Sequence, residues 1–257
     1  MLESYIRQRR EHRDVLLMTH IVIGYPNYEE SLRTVEAMVA AGVDLMELQV
    51  PFSEPIADGP VILHANQSAL AGGITVRQCF EFAEVCTSRF DIPFVFMSYY
   101  NILHRHGVER FVQRMAGLGL HGAIVPDLPP EEAGAYLSAM DKENLDPIFI
   151  YSPNTTDQRL RYIAQYGRGF VYCVARKGVT GAATSFSSEL GDYLRRCRTA
   201  TDLPLAVGFG VKDQQDVHFL QGKADIAVVG SQSIRILDEQ GVGAVGAFVG
   251  GLVARGD

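Results

Sequence analysis

Tryptophan is absent from the 257 residues, and lysine occurs only as Lys142, Lys177, Lys212 and Lys223. The four cysteines, Cys79, Cys86, Cys173 and Cys197, form no Cys-x-x-Cys pair, and no histidine lies at metal-site spacing from them. Neither a disulfide framework nor a zinc site is therefore expected, and the cysteines read as reduced core residues. No run of five like charges occurs, and the net charge is −7. That balance argues against nucleic acid or an anionic membrane as a partner recognised through bulk charge. Long apolar runs are missing too. The longest uncharged stretch, 240–254, is shorter than the ~20 apolar residues a bilayer-spanning helix needs, and the opening MLESYIRQRREHRD is charged throughout. A cytoplasmic protein with a small-molecule or protein partner is the expectation.

What the chain does contain is 47% hydrophobic and 21% charged residues with 25 glycines, the composition of a soluble globular protein. Short apolar, β-branched or aromatic runs recur along it, each closed by a Gly, Pro, Ser or Asp signal. Eight are candidate strands: LLMTHIVIG (16–24), LMELQV (45–50), FVFMSYY (94–100), GAIVPD (122–127), PIFIYS (147–152), GFVYCVA (169–175), LPLAVGFG (203–210) and IAVVGS (226–231). Amphipathic segments lie between them at 27–42, 76–90, 107–119 and 155–167. In the first of these Leu32, Val35, Met38 and Val39 share a face and Gly42 can stop the helix. Strands apolar on both faces, alternating with helices, predict a closed (β/α)₈ TIM barrel, with an open doubly wound sheet as the alternative. A single domain over 1–257 is expected, with the N-terminal segment as an extra helix covering the barrel floor. The helix at 76–90 fills only part of the interval 51–93, so PFSEPIADGPVILHANQSALAGG is expected to be a large loop on the face where barrel active sites sit.

Chemistry concentrates on that face. In LMELQV, alternation puts Met46, Leu48 and Val50 on one side and Glu47 with Gln49 on the other. If the first side meets the outer helices, Glu47 points into the barrel mouth, where desolvation favours a carboxyl that exchanges protons near neutrality. A structural ion pair with an inward arginine is the competing reading. Asp58 follows inside the Pro- and Gly-punctuated PIADGP. Asp before Gly also suits a plain turn, but a strand carboxylate and a loop carboxylate in unlike settings can divide acid and base roles. Gly-rich turns follow the sixth, seventh and eighth strands: RKGVTG (176–181), Gly208-Phe209-Gly210 and Gly230-Ser231. Backbone N–H groups there can cradle an anion, which points to a phosphorylated small substrate. None is a dinucleotide fingerprint or a Walker loop. Tyr99, Tyr172 and Phe209 either wall a flat apolar pocket or pack the upper core.

These residues resemble the family of tryptophan synthase α subunits. The matching runs are ELQVPFSEPIADGP (47–60), IVPDLPPEE (124–132), GRGFVYCVARKGVTG (167–181), VGFGV (207–211) and VVGS (228–231), in order over essentially the whole chain. The resemblance implies a (β/α)₈ barrel that cleaves indole-3-glycerol phosphate to indole and glyceraldehyde 3-phosphate with no metal or organic cofactor. It assigns Glu47 as the acid/base at indole C3 and the glycerol hydroxyl. Asp58 is the counter-charge to the indole nitrogen and Tyr172 a helper. Phosphate contacts fall on Thr180, Gly181, Gly210, Gly230 and Ser231, and the indole pocket on Tyr99, Ile124 and Phe209. It further implies an α₂β₂ complex with a pyridoxal-phosphate β subunit that receives indole through a tunnel, with residues 51–58 at the interface. The lack of tryptophan suits an enzyme of tryptophan synthesis.

Four positions depart from the family pattern. Gln49 stands where glycine is common, and an amide there is expected to hydrogen-bond the Glu47 carboxylate or crowd the substrate. Glu54 replaces an aspartate, His20 an apolar pocket residue, and Tyr25 another aspartate. Two other functions stay open. An aldolase using a Schiff-base lysine would need a lysine inside a strand, and none of the four lies in a candidate strand. A non-catalytic subunit that only activates a β partner would follow if Gln49 and His20 impaired the site.

Overall fold

In the computed structural model, which describes residues 2–174, 188–208 and 210–253, parallel strands alternate with helices around a barrel. Among the described residues the strands are β1 (Leu16–Val22), β2 (Leu45–Gln49), β3 (Phe94–Met97), β4 (Gly122–Ile124), β5 (Asp146–Ile148), β6 (Ile150–Tyr151), β7 (Val171–Val174), β8 (Leu205–Gly208) and β9 (Ile226–Val229). The helices are α1 (Leu2–Arg10), α2 (Tyr28–Ala40), α3 (Pro60–Ala71), α4 (Val76–Arg89), α5 (Tyr100–His106), α6 (Val108–Gly117), α7 (Gly134–Lys142), α8 (Asp157–Ala164), α9 (Ser188–Ala200), α10 (Gln214–Leu220), α11 (Ser231–Gln240) and α12 (Val242–Val253).

The expected eight strands become nine because PIFIYS divides at Phe149. The half at β5 pairs with β4 and the half at β6 with β7, so the ladder order is β5-β4-β3-β2-β1-β9-β8-β7-β6. Its two ends are consecutive in the chain, which brings the ring round on itself. The strands are also shorter than the apolar runs.

Alternation along the strands sorts the core into two shells. Leu16, Met18, Leu45, Val95, Met97, Ile124, Ile148, Ala206, Ile226 and Val228 pack together inside the barrel. Their neighbours Leu17, Ile21, Met46, Leu48, Phe94, Phe96, Val171 and Val207 pack outward against the helices. Helix α1 closes the floor as expected, because its apolar Leu2 and Ile6 join the inner shell and are fully buried. Basic residues at its end and just beyond it are held by acids at the strand starts: Arg9 and Arg13 reach Asp44 at 2.9 and 3.0 Å, and Arg10 pairs with Asp225. The four cysteines are buried and free.

The interval 51–93 is not one long loop before α4. The irregular stretch after β2 ends at residue 59, α3 occupies 60–71, and only a short turn at 72–75 separates it from α4. The Pro and Gly that read as loop punctuation are Pro60 in the first turn and Gly59 at the N-cap, both positions a helix start accepts. The helix is fixed by Ala65 and Ala69, which pack with Val22, Tyr25 and Ile234 over the end of β1. A short loop carrying Asp58 is thus strung between the end of β2 and a docked helix.

Candidate active site

The barrel mouth is assembled from inner-face positions at the strand ends. Register pairs His20 with Glu47 and Val22 with Gln49 across β1 and β2. In-out alternation then aims His20, Glu47 and Gln49 at the barrel axis, as it was expected to aim Glu47. All three are buried, Glu47 at 3% exposure and His20 at 4%.

Among the described residues the competing inward arginine is not what meets Glu47. The Glu47 Oε1 lies 3.1 Å from His20 Nδ1, while Glu47 Oε2 and His20 Nε2 are buried without a hydrogen-bond partner among the described residues. Burial depresses the imidazole's proton affinity, but the Glu47 charge and hydrogen bond, helped by Asp58, outweigh it and raise the His20 pKa above its ordinary 6.5. Burial and the paired acid act in opposite directions here, and the acid wins because the contact is direct.

Asp58 is tied to the same rim by two groups. Gln49 Nε2 donates to Asp58 Oδ2 at 2.7 Å, and the Tyr99 hydroxyl donates to that oxygen at 3.3 Å. Tyr99 in turn accepts from the Ala57 N–H at 3.1 Å and stacks on Phe52 at 5.0 Å. The amide of Gln49 therefore serves the loop carboxylate and not Glu47, contrary to the expectation from its shared strand face. The reason is reach: Gln49 is two residues nearer the mouth, level with the loop. Desolvation raises the Asp58 pKa, with Glu47 adding to it, against the lowering influence of Gln49, His20 and Tyr99.

Asn66 was not legible as a site residue. Fully buried on α3, it accepts from the Phe52 N–H at 2.9 Å and donates to the Ile62 carbonyl at 2.8 Å, and so fixes the loop's entry point. A lone amide between Ala65 and Ala69 on an apolar helix face was its signal, hidden because that stretch read as loop.

Tyr172 stands on the inner face of β7, partly buried, and its hydroxyl pKa is pushed well up by burial and by the charges of Glu47 and Asp58. It stays a neutral donor. Gly208 makes room for it: a Cβ there would sit 2.8 Å from the tyrosine hydroxyl oxygen and 2.9 Å from Cε1. Gly208→Ala is expected to displace the ring and to cost about 1–3 kcal/mol of stability through overpacking, which chemical denaturation would measure alongside a fall in turnover.

Ile124 lies in the inner shell beside Tyr99. Gly230 backs onto His20, its hypothetical Cβ 3.5 Å from the His20 Cβ, and caps α11, whose first residue is Ser231. Gly210 has a left-handed φ of 83° and open space around its Cα, so its backbone is accessible to a ligand. Thr180, Gly181 and Phe209 lie outside the described residues. Among the described residues no lysine is inside a strand: Lys142 ends α7, paired with Glu109, and Lys223 follows α10, bonded to the Phe219 carbonyl. A Schiff-base site has no support there. Glu47, Asp58, Tyr99 and Tyr172 are thus brought together, and Tyr25 is not: its hydroxyl donates to Asp238 on α11 at 2.7 Å.

Comparison with known proteins places these features among relatives. The family profile of the tryptophan synthase alpha chain matches residues 6–247. The tryptophan synthase alpha chain of Syntrophotalea carbinolica is 66% identical over 97% of this chain and 98% of the relative, and that of Desulforapulum autotrophicum is 64% identical over the same shares. Among solved structures, the tryptophan synthase of M. tuberculosis in its aminoacrylate-bound form superimposes with a TM-score of 0.90 at 32% identity, covering 98% of both chains. The tryptophan synthase complex of Pyrococcus furiosus gives 0.85 at 31% identity, covering 93% of this chain and 97% of that one.

Proposed function

Because the chain belongs to the tryptophan synthase alpha chain family, we propose that it cleaves indole-3-glycerol phosphate to indole and glyceraldehyde 3-phosphate, with no metal or organic cofactor. The observation that carries this reading is the convergence of Glu47 and Asp58 at one mouth in different settings. Glu47 is fixed on a strand against His20 and Asp58 is borne on a loop. Two carboxyls so separated in environment can take unlike roles.

The chemistry needs no redox partner. Glu47 delivers a proton to indole C3, which turns the ring into a cationic electron sink. Asp58 offsets the charge that appears at the ring nitrogen. Loss of the proton from the adjacent side-chain hydroxyl, taken up by Glu47, drives the C–C bond pair back into the ring. Indole and the aldehyde leave with protons and electrons balanced. Tyr172, held neutral, donates a hydrogen bond within the site. The phosphate is gripped by Thr180, Gly181, Gly210, Gly230 and Ser231. The unpaired N–H groups at the start of the ten-residue α11 supply the positive end of a helix dipole. Tyr99, Ile124 and Phe209 hold the indole ring.

The same reading includes a β subunit as partner in an α₂β₂ complex, working in the cytoplasm. Residues 51–58 are the docking segment: Glu54 is exposed and Ile56 is 77% exposed, an apolar side chain offered to solvent two residues before Asp58. Docking there would change the population of the loop pose that holds Asp58, and not the chemistry.

One observation favours a second reading. Both carboxylates are engaged by the chain's own side chains, as a purely activating subunit with an impaired site would have them. Indole release from indole-3-glycerol phosphate by the purified chain, alone and with its β partner, decides. Release supports the lyase. No release in either case, with the partner's own activity raised, establishes the activating subunit.

A further inference from the structure

Among the described residues Glu47 has a single hydrogen-bonding neighbour, and that neighbour is not part of the reaction described above. His20 Nδ1 approaches Oε1 at 3.1 Å from the adjacent strand, in a register that sets the two residues side by side. Both side chains are almost wholly buried. Among the described residues the second carboxylate oxygen, Oε2, is buried and unpartnered, and so is His20 Nε2. On the other flank the imidazole meets the backbone of Gly230, which carries no side chain to compete for it. The charged and titratable groups acting on it are Glu47 and Asp58, with the neutral amide of Gln49 beside them. Tyr172 faces the two acids as an uncharged hydroxyl.

We propose that His20 is a positioning residue for Glu47: its Nδ1–H pins one carboxylate oxygen, so that Oε2 alone is left to exchange a proton with the bound ring. The inference rests on the lyase reading for Glu47. A carboxylate with two free oxygens rotates about its last bond and presents either one. A charge-assisted hydrogen bond from a neighbouring strand removes that freedom, and rigid strands hold the donor in place. An imidazolium at this point also offsets a carboxylate charge that burial penalises. His20 never touches the reacting atoms in this scheme. Its effect falls on how often Glu47 is in the reactive pose, hence on kcat and not on KM.

The test uses the full chain with its β partner, the variants His20→Leu and His20→Gln, and indole release across the pH range. His20→Leu is expected to lower kcat about tenfold to a hundredfold, the loss typical of a misplaced catalytic group, with little change in KM. His20→Gln, which keeps an N–H donor, is expected to recover part of kcat. Nitrogen-15 NMR of the resting chain supplies a readout independent of turnover. Nδ1 should carry a proton, and its titration should lie above the ordinary 6.5 and fall in Glu47→Gln. Native kcat and an unshifted pH profile in His20→Leu would overturn the inference, as would an Nδ1 without a proton. If His20→Leu does not fold, His20→Gln and the NMR titration decide. A native chain that releases no indole defeats the lyase reading instead, and the NMR result still stands or falls separately.

Discussion

Glu47→Gln is expected to lower kcat for indole release about a thousandfold, within the range lost with a single general acid–base group. Glutamine keeps the shape and can still accept from His20 Nδ1, so the strand geometry survives, but it neither delivers nor collects a proton. The stability of this variant should carry a specific pH signature. In the native chain the His20 pKa is raised above 6.5 by Glu47, so the pair's contribution to stability is fully present below the unfolded value and is lost as pH rises through the folded one. Removing the carboxylate removes that contribution. Melting curves of native and variant chains should differ most below pH 6.5 and converge on the alkaline side. Turnover within tenfold of native would take Glu47 out of the chemistry.

Asp58→Asn should lower turnover at least about a hundredfold, the lower end for losing one electrostatic group, and yet leave the fold unharmed. The sign of the pKa shift makes this a sharp separation. The Asp58 pKa is raised above 3.8, chiefly by desolvation, so its protonated form is favoured on folding and that stabilisation is gone once pH rises through the folded value. At neutral pH the ionised group therefore costs stability. An asparagine retains an oxygen to accept from Gln49 and Tyr99 while shedding the charge. Its melting temperature at neutral pH should equal or exceed the native one, and the gain should vanish below about pH 3.8. A structural turn residue would behave in the opposite way, losing stability while keeping activity.

The barrel and the inward aim of Glu47 were legible because both depend on period alone. Apolar runs separated by amphipathic segments predict buried parallel strands, and alternation in LMELQV predicts which side chains face the axis. Features that depend on which strands become neighbours were not legible. Nothing in 45–50 states that β1 will lie alongside in a register that sets His20 against Glu47. The break at Phe149 leaves no mark either, since an apolar residue suits a continuous strand as well as a partner switch. Helix α3 was missed for a chemical reason: Gly59 and Pro60 are signals shared by loops and helix starts, and its buried contacts are made by small alanines that give a weak stripe. With α3 went Asn66, and with Asn66 the fact that the Asp58 loop is anchored at both ends.

The central claim is that one aromatic, phosphorylated substrate sits between Glu47 and Asp58 with its phosphate at the strand ends that precede α10 and α11. The most direct measurement is a crystal structure of Asp58→Asn with indole-3-glycerol phosphate bound in the presence of the β partner. The expected result is Glu47 Oε2 within about 3 Å of ring C3 or the adjacent hydroxyl, His20 still on Oε1, and the phosphate on the backbone of Gly210, Gly230 and Ser231. A ligand bound with its ring away from Glu47, or with its phosphate elsewhere on the molecule, would contradict it.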